Sequence, residues 1–285
     1  MMRAVPAAPQ PRHIWLCADD YGIAPGVNGA IRDLIARGRI NATSVMVRAP
    51  GFSRSEAEAL AGLNEDEKRA AIGLHVTLTA PFKPMTAGYG PLRDGEFLPL
   101  EAMLLAAYLQ RLNIEQLAME IATQFKAFVM AFGRAPDFVD GHQHVQLFPQ
   151  VRDAFLSMVK EMAPQAWVRQ CGRSIPLRRR FDRKAMLLDM LSYSFRRRAR
   201  AKGLRTNAAF AGAYDFRGEP DFAKLFPRFL HRLPPDGLVM CHPGLVDDEL
   251  KRLDPLTRQR EREYAYLASD ALPPTLAAYG IVLSH

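Results

Sequence analysis

Two adjacent aspartates directly follow a short apolar run near the start of this chain. The run is IWLCA at residues 14–18, and Asp19 and Asp20 come next, before Tyr21 and Gly22. Five consecutive apolar residues predict a buried strand, and open α/β sheets and barrels have their active sites at the carboxyl ends of strands. The pair therefore predicts either an active site at a strand end or a turn whose carboxylates only cap the next helix.

Three later apolar segments are built in the same way, and each contains histidine. They are residues 71–79 with His75, residues 138–145 with His142 and His144, and residues 237–244 with His242. A lone histidine on a strand is more often a core residue than a ligand. Several strand ends that together supply an Asp pair and imidazoles favour a site for a divalent metal ion with open coordination positions.

Four motifs occur in order along the chain: Ala-Asp-Asp-Tyr-Gly, Gly-Leu-His-Val-Thr-Leu-Thr, Asp-Gly-His-Gln-His-Val and Met-Cys-His-Pro-Gly. In these motifs the chain resembles the YdjC-like carbohydrate deacetylases, a family that includes chitooligosaccharide deacetylases and hopanoid-associated deacetylases. The resemblance extends from about Ile14 to residues 279–283. It implies an α/β fold, an irregular (β/α) barrel like that of glycoside hydrolases and deacetylases. It also implies metal-dependent removal of an acetyl group from an N-acetylated amino sugar, on an oligosaccharide or a glycolipid.

The resemblance assigns roles to individual residues. It implies that Asp20, His75 and His142 bind the metal ion, and that Asp19 is the general base that takes a proton from water at the metal. His242 is the candidate acid that protonates the leaving amine. This chemistry needs such residues because a divalent cation polarises the amide carbonyl and lowers the pKa of water from about 15.7 toward ~7. The family favours Mg²⁺ or Zn²⁺, although the donor set also suits cobalt, nickel or manganese.

Neighbouring polar residues have less specific signals. Arg169 ends another short apolar segment and is predicted to pair with Asp19, which would keep that carboxylate ionised. Asp140 is a candidate to orient a ring nitrogen of a ligand histidine, or else it caps a loop. The family often has a longer histidine run after this aspartate. Here the run is interrupted by glutamines, which leaves the role of three residues open: Gln143, His144 and Gln146.

Composition predicts one domain. A chain of 285 residues with 48% hydrophobic residues can bury one large core, so we expect a single barrel domain over residues 1–285. The three cysteines lack metal-type spacing and fit a reducing compartment. Neither a signal peptide nor a membrane span is evident, so we expect a cytoplasmic protein. A homodimer is consistent with the family.

Local patterns place several elements. A helix is expected from Pro25 to Arg37, a strand over residues 43–47, and a helix from Ser55 to Leu63. Residues 114–132 predict a helix with one apolar face that ends at Gly133. Residues 81–99 are rich in turn-forming residues and form a long connection, which is expected to shape the sugar pocket.

The formal net charge is +8, and its arginines cluster around residues 176–203. Arg178–Arg180 and Arg196–Arg200 flank an apolar stretch, which predicts a helical insertion with basic ends. Three interpretations remain open: a helix that only packs on the barrel, a peripheral contact with anionic lipid at the inner membrane, and nucleic-acid binding. We expect no nucleic acid as a partner, because no known binding motif accompanies the charge.

Two other functions remain as alternatives. The chain could be a non-catalytic module that binds sugar or lipid and keeps a structural metal site, or a metal-dependent phosphoester hydrolase. A structural site has no need of Asp19 beside Asp20. Phosphoester sites usually hold two metals with more carboxylates than the one dense acidic pair found here.

Overall fold

The computed structural model describes residues 10–174, 183–216 and 218–283, and strands alternate with helices along them. The strands are β1 Arg12–His13, β2 Trp15–Tyr21, β3 Ala42–Val45, β4 Ala71–Val76, β5 Leu92–Arg93, β6 Glu96–Phe97, β7 Phe138–Gly141, β8 Trp167–Val168, β9 Phe210–Ala211, β10 Leu238–Cys241 and β11 Ile281–Val282. The helices are α1 Pro25–Ala36, α2 Arg54–Gly62, α3 Leu100–Tyr108, α4 Ile114–Phe132, α5 Val151–Met162, α6 Arg183–Ala201, α7 Phe222–Leu230, α8 Asp248–Leu253, α9 Arg258–Ala268 and α10 Leu272–Ala278. A 3-10 turn, His142–Leu147, follows β7 directly.

Seven strands form one parallel sheet in the order β8-β7-β4-β3-β2-β10-β9. The two edges of this sheet meet, because Phe210 of β9 donates its N–H to Gly172 O just beyond β8, at 3.0 Å. Val168 of β8 also bridges to Thr206 in the segment that leads to β9. The sheet is therefore strongly curled into an irregular barrel, and the predicted α/β fold class is confirmed.

The strands are buried on both faces, as parallel strands enclosed by helices must be. Every residue of β3, β4, β7 and β10 is buried, and their sequences lack a regular polar–apolar alternation; the polar residues among them are Thr43, Ser44, His75 and Asp140. Helix α4 covers the sheet with the apolar face predicted for it, which comprises Leu117, Ile121, Phe125 and Phe128.

Most of the predicted helix limits agree with the structure to within a residue or two. Helix α4 begins after Asn113, whose side chain accepts from the N–H groups of Glu115 and Gln116, and it ends at Gly133 with φ 66°. Glycine suits this left-handed position because it has no Cβ.

The strand expected over residues 138–145 is shorter than predicted. It ends at Gly141, and Gln143 and His144 have left-handed φ angles of 55° and 61° inside the 3-10 turn. The apolar residues Val145 and Leu147 extended the strand-like pattern, but they are buried from the turn instead.

The basic segment is helical where it is described, since α6 covers Arg183–Ala201. The Arg178–Arg180 cluster lies outside the described residues. Within the described ranges, no helix is at once long and apolar enough to cross a bilayer.

Candidate metal centre and active site

The strands that end in Asp or His are neighbours in the sheet. They are β7, β4, β2 and β10, with β3 between β4 and β2, and the parallel order β7-β4-β3-β2-β10 places their carboxyl ends at one end of the barrel. His75 pairs in register with Asp140, and Met240 and Cys241 pair with Cys17 and Ala18. Residues that are far apart in the sequence therefore converge at this end.

The Asp pair adopts an irregular backbone at the end of β2. Asp20 has φ 70°, and the register between β2 and β3 shifts between Ala18 and Tyr21. An extended strand would direct adjacent side chains to opposite faces, whereas this bulge-like shift lets both carboxylates contact partners inside the barrel. A left-handed φ at a non-glycine residue is uncommon, and such residues concentrate at functional sites.

Asp20, His75 and His142 meet as the motifs predicted. Asp20 Oδ1 lies 2.9 Å from His142 Nδ1 and 3.3 Å from His75 Nε2. One ligand atom from each of the three buried residues lies within 4.8 Å of the others. A carboxylate oxygen with two imidazole nitrogens is a donor set that divalent transition metals and zinc accept, so the residues present fit such an ion.

The second ring nitrogen of His75, Nδ1, contacts two polar side chains. Its Nδ1 lies 2.6 Å from Asp140 Oδ1 and 3.0 Å from Ser44 Oγ. Burial lowers the pKa of His75, but the Asp140 carboxylate outweighs it and the pKa is raised to about 10. This contact fixes the ring orientation, as carboxylates commonly do for metal-binding histidines. Asp140 was a candidate to orient a ligand histidine, and the structure shows that the histidine it contacts is His75.

Arg169 forms the predicted pair with Asp19. Its Nη1 donates to Asp19 Oδ2 at 2.6 Å and its Nη2 to Asp19 Oδ1 at 2.7 Å, and Nη2 also lies 2.6 Å from Asp140 Oδ2. All three side chains are buried. Burial raises the pKa of Asp19, yet the Arg169 guanidinium outweighs it and lowers the pKa to about 2. Asp19 is therefore ionised throughout the physiological pH range.

A second group of ligand atoms overlaps the first. Asp19, His75 and Asp140 also present ligand atoms within 4.8 Å of one another. The Arg169 guanidinium contacts both oxygens of Asp19 and Oδ2 of Asp140, so a fixed organic cation already engages the carboxylates of this second position.

Arg260 was not predicted, and the structure places it in the site. It is fully buried on α9, and its Nη2 lies 2.6 Å from Asp20 Oδ2 and 2.5 Å from Asp254 Oδ2. Since Asp20 Oδ2 is held by this arginine, Oδ1 is the oxygen that faces the histidines. Burial raises the pKa of Asp20, but Arg260 and then His142 outweigh it and hold the pKa well below its usual range. The sequence gives no signal for Arg260, because it is one of several arginines on a polar helix.

His242 lies beyond the end of β10, next to a buried carboxylate. Its backbone N–H donates to Glu263 Oε2 at 2.5 Å, and Tyr214 donates its hydroxyl to Glu263 Oε1. The His242 Nδ1 atom is buried and has no hydrogen-bond partner among the described residues. Burial raises the pKa of Asp19, and the His242 imidazole helps to lower it, after Arg169 and His75. His242 therefore lies near the predicted base with an uncommitted ring nitrogen.

The three residues of the altered histidine run have different surroundings. Gln143 is exposed, whereas Gln146 is buried and donates to Arg169 O at 3.3 Å. His144 lies 3.5 Å from Cys171 Sγ through Nδ1, and its ring packs edge-on against Phe210. Burial and then Arg169 lower the pKa of His144 to about 3, so its imidazole is neutral.

The long connection between β4 and α3 contacts the site. Phe82 packs edge-on against the His142 ring, with centroids 5.7 Å apart. The same segment is anchored from α4 by Glu120, which accepts from the N–H groups of Met85 and Thr86 and from the Thr86 hydroxyl. The segment over residues 81–99 therefore borders His142. That it shapes a sugar pocket stays a prediction.

The sequence matches a known protein family. The family model described as YdjC-like protein matches residues 13–278, which is nearly the whole chain. The chain belongs to this family. It is thus a YdjC-like protein with a buried Asp/His group that can hold a metal ion.

Solved structures share the fold at low sequence identity. A proposed cellobiose-phosphate cleavage protein from Enterococcus faecalis is 20% identical, with 97% of this chain and 98% of that chain covered and a TM-score of 0.74. The lactam utilization protein from Thermus thermophilus is 15% identical, with 95% of this chain and 98% of that chain covered and a TM-score of 0.52. These similarities concern the fold alone.

Proposed function

We propose that this YdjC-like protein is a metal-dependent hydrolase that removes the acetyl group from an N-acetylated amino sugar. One observation supports the proposal most strongly: the two adjacent carboxylates contact different partners, which suits them to different roles. Asp20 faces two histidines, while Asp19 faces an arginine. A metal hydrolase needs one carboxylate as a ligand and another as a base, and this pair meets that need.

Asp20 Oδ1, His75 and His142 would hold the divalent cation, in accord with the donor set described above. Bound there, the ion would polarise the amide carbonyl and make water a better nucleophile. His75 can bind the metal ion only through an unprotonated nitrogen, so the ring nitrogen that faces the ion has to lose its proton. Mg²⁺ and Zn²⁺ are the two ions we propose, with the family resemblance as their only support.

Asp19 would accept the proton of the attacking water. The Arg169 pair supports this role because it keeps Asp19 in its basic, ionised form, although the same pair makes Asp19 a weaker base. A carboxylate placed this way typically contributes about 10²–10⁴-fold to the rate.

His242 would donate a proton to the leaving nitrogen. An amide anion is a very poor leaving group, and an imidazolium can protonate it near neutral pH. The place of His242 directly after β10, with a partly exposed side chain at the end of the barrel where Asp19 lies, supports this role.

The two alternatives have less support. A phosphoester hydrolase with two metals would need the Asp19, His75 and Asp140 group for its second ion, and Arg169 already pairs with both of those carboxylates. A binding module with a structural metal would have no use for a buried Asp19–Arg169 pair next to the ligands.

The test is acetate release from soluble N-acetylglucosamine oligomers and from N-acetylated glycolipids, with added Mg²⁺ or Zn²⁺. We expect acetate from the wild type and a loss of at least about 10²-fold in Asp19→Asn, with metal binding retained. A variant that releases acetate as fast as the wild type would refute the role of Asp19. Wild-type protein that binds metal but releases no acetate from any of these substrates would refute the deacetylase proposal.

A further inference from the structure

Helix α6 exposes apolar side chains where a surface helix normally has polar ones. Its inward face is apolar as expected and comprises Leu191, Phe195 and Ala199. Its outward face contains Met186, Met190 and Tyr193, which are 54%, 60% and 66% exposed. Three large apolar side chains on the solvent face are unfavourable unless something covers them.

The exposed residues form one stripe along the helix. Met186, Met190 and Tyr193 are followed by Arg197 and Arg200, at successive spacings of four, three, four and three residues. With 3.6 residues per turn, these five positions fall within roughly 80° of the helix circumference. We call them the α6 stripe. It is apolar in its first half and cationic in its second half.

The cations of the α6 stripe are free to bind an anion. On an adjacent face of the helix, Arg198 pairs with Asp153 at 3.2 Å. In the described part of the chain, neither Arg197 nor Arg200 has a carboxylate partner within ion-pair distance. Both side chains are exposed.

A groove runs beside the cationic half of the stripe. It has a volume of about 490 Å³ and is lined by Tyr193, Arg196, Arg197, Arg200, Leu204 and Thr206. Guanidinium groups bind phosphate oxygens with paired N–H donors. The groove therefore offers three such groups beside an aromatic side chain, which suits the boundary between lipid phosphates and acyl chains.

We propose that the α6 stripe docks on an anionic lipid surface. Met186, Met190 and Tyr193 insert at the headgroup boundary, and the arginines of the groove bind lipid phosphates. A membrane is favoured over a nucleic acid because the apolar half of the stripe needs an apolar partner, which a phosphodiester backbone does not provide. An anionic bilayer presents phosphates and hydrocarbon at the depths that one surface helix spans. The net charge of +8 adds a longer-range attraction.

The docking helix lies against the segment beside the candidate active site. On its inner side, Ser192 Oγ accepts from the Cys171 N–H at 3.0 Å, and Cys171 Sγ lies 3.5 Å from His144 Nδ1. Docking would therefore hold this part of the barrel close to the bilayer. The inference itself depends only on the surface and not on the reaction proposed above.

The test is flotation of the full chain with vesicles of phosphatidylcholine alone or with phosphatidylglycerol added. We expect flotation only with phosphatidylglycerol, and release by high salt. Arg197→Gln with Arg200→Gln should lower the partition coefficient about 30-fold, or about 2 kcal/mol for two arginines. Met186→Ser with Met190→Ser should lower it about 10-fold, because less apolar area is inserted.

The matched control is Arg93→Gln with Lys126→Gln. It removes two other exposed cations that have no ion pair among the described residues. It should retain at least half of the wild-type flotation, and all variants should keep the wild-type melting temperature because the changed side chains are exposed. Failure of the wild type to float at low salt would overturn the proposal. Equal losses of flotation in the control and in the stripe variants would also overturn it. A wild-type dimer that becomes a monomer on Met186→Ser with Met190→Ser would overturn it too, since a second copy of the chain would then cover the stripe.

Discussion

Replacing Arg169 by methionine should destabilise the protein strongly and make its stability depend on pH. The side chain is fully buried, and it contacts both Asp19 oxygens and Asp140. The fall in the Asp19 pKa from 3.8 to about 2 corresponds to about 2.5 kcal/mol of favourable interaction with the charged form. Removal of one partner of a buried ion pair typically costs about 3–5 kcal/mol, because the remaining charge is left buried and unpaired. We therefore expect Arg169→Met to lose about 3–5 kcal/mol of unfolding free energy at about pH 8.

The pH dependence of this loss has a definite sign. In the wild type the folded pKa of Asp19 lies below its unfolded value, so its stabilisation is present above about pH 4 and is lost as the pH falls through about 2. Between about pH 8 and about pH 5, Asp19 therefore causes no change in the stability of the wild type. In Arg169→Met, burial without the guanidinium raises the pKa of Asp19. Ionisation of Asp19 then destabilises the fold increasingly as the pH rises, so the loss should shrink on going from about pH 8 to about pH 5.

The assay is urea unfolding in the presence of a chelator, followed by tryptophan fluorescence at both pH values. Arg54→Met is the control, because Arg54 forms an exposed ion pair with Glu58 at 2.9 Å and such pairs contribute about 0–1 kcal/mol. Arg169→Met combined with Asp19→Asn should recover part of the loss, since one unpaired carboxylate is removed. A loss below about 1 kcal/mol, or a loss that is the same at both pH values, would refute the electrostatic reasoning.

Two further predictions concern the metal ligands and the segment beside them. Because the metal-free His75 has its pKa raised to about 10 by Asp140, metal binding must displace a proton. Calorimetry should therefore show tighter metal binding at higher pH with proton release to the buffer, and His75→Gln should abolish that release; proton uptake would contradict this. Glu120→Gln should weaken the anchor of residues 81–99, because one acceptor oxygen facing Met85 and Thr86 becomes an NH₂ group. A loss of about 2 kcal/mol in local stability would speed tryptic cleavage after Arg93 about 30-fold, whereas exposed Glu115→Gln on the same helix should leave the cleavage rate unchanged.

Much of the barrel could be predicted from local sequence patterns. Short apolar runs predict buried parallel strands, because such strands are covered on both faces and have no polar side to alternate with. Helix α4 could be placed from Asn113 to Gly133, because the capping asparagine and the glycine act through contacts within a few residues. The 3-10 turn after β7 could not be foreseen, since Val145 and Leu147 extend the strand pattern and only tertiary packing decides that they are buried from a turn.

The candidate site likewise has features that the sequence predicts and features that only the tertiary structure shows. The sequence placed Asp19, Asp20, His75, His142 and His242 in or directly after apolar segments, and the carboxyl ends of the parallel strands formed there meet at one end of the barrel. Their roles are implied by the family resemblance and stay predictions. Only the tertiary structure decided which oxygen of each carboxylate faces which partner. Asp20 Oδ1 faces the histidines because Arg260, from a helix near the end of the chain, holds Oδ2. The pairing of Arg169 with Asp19 was predicted, but only the tertiary structure showed that Arg169 also contacts Asp140. Contacts between residues so distant in sequence leave no local pattern, since any arginine on a suitable helix or strand end could supply the same charge.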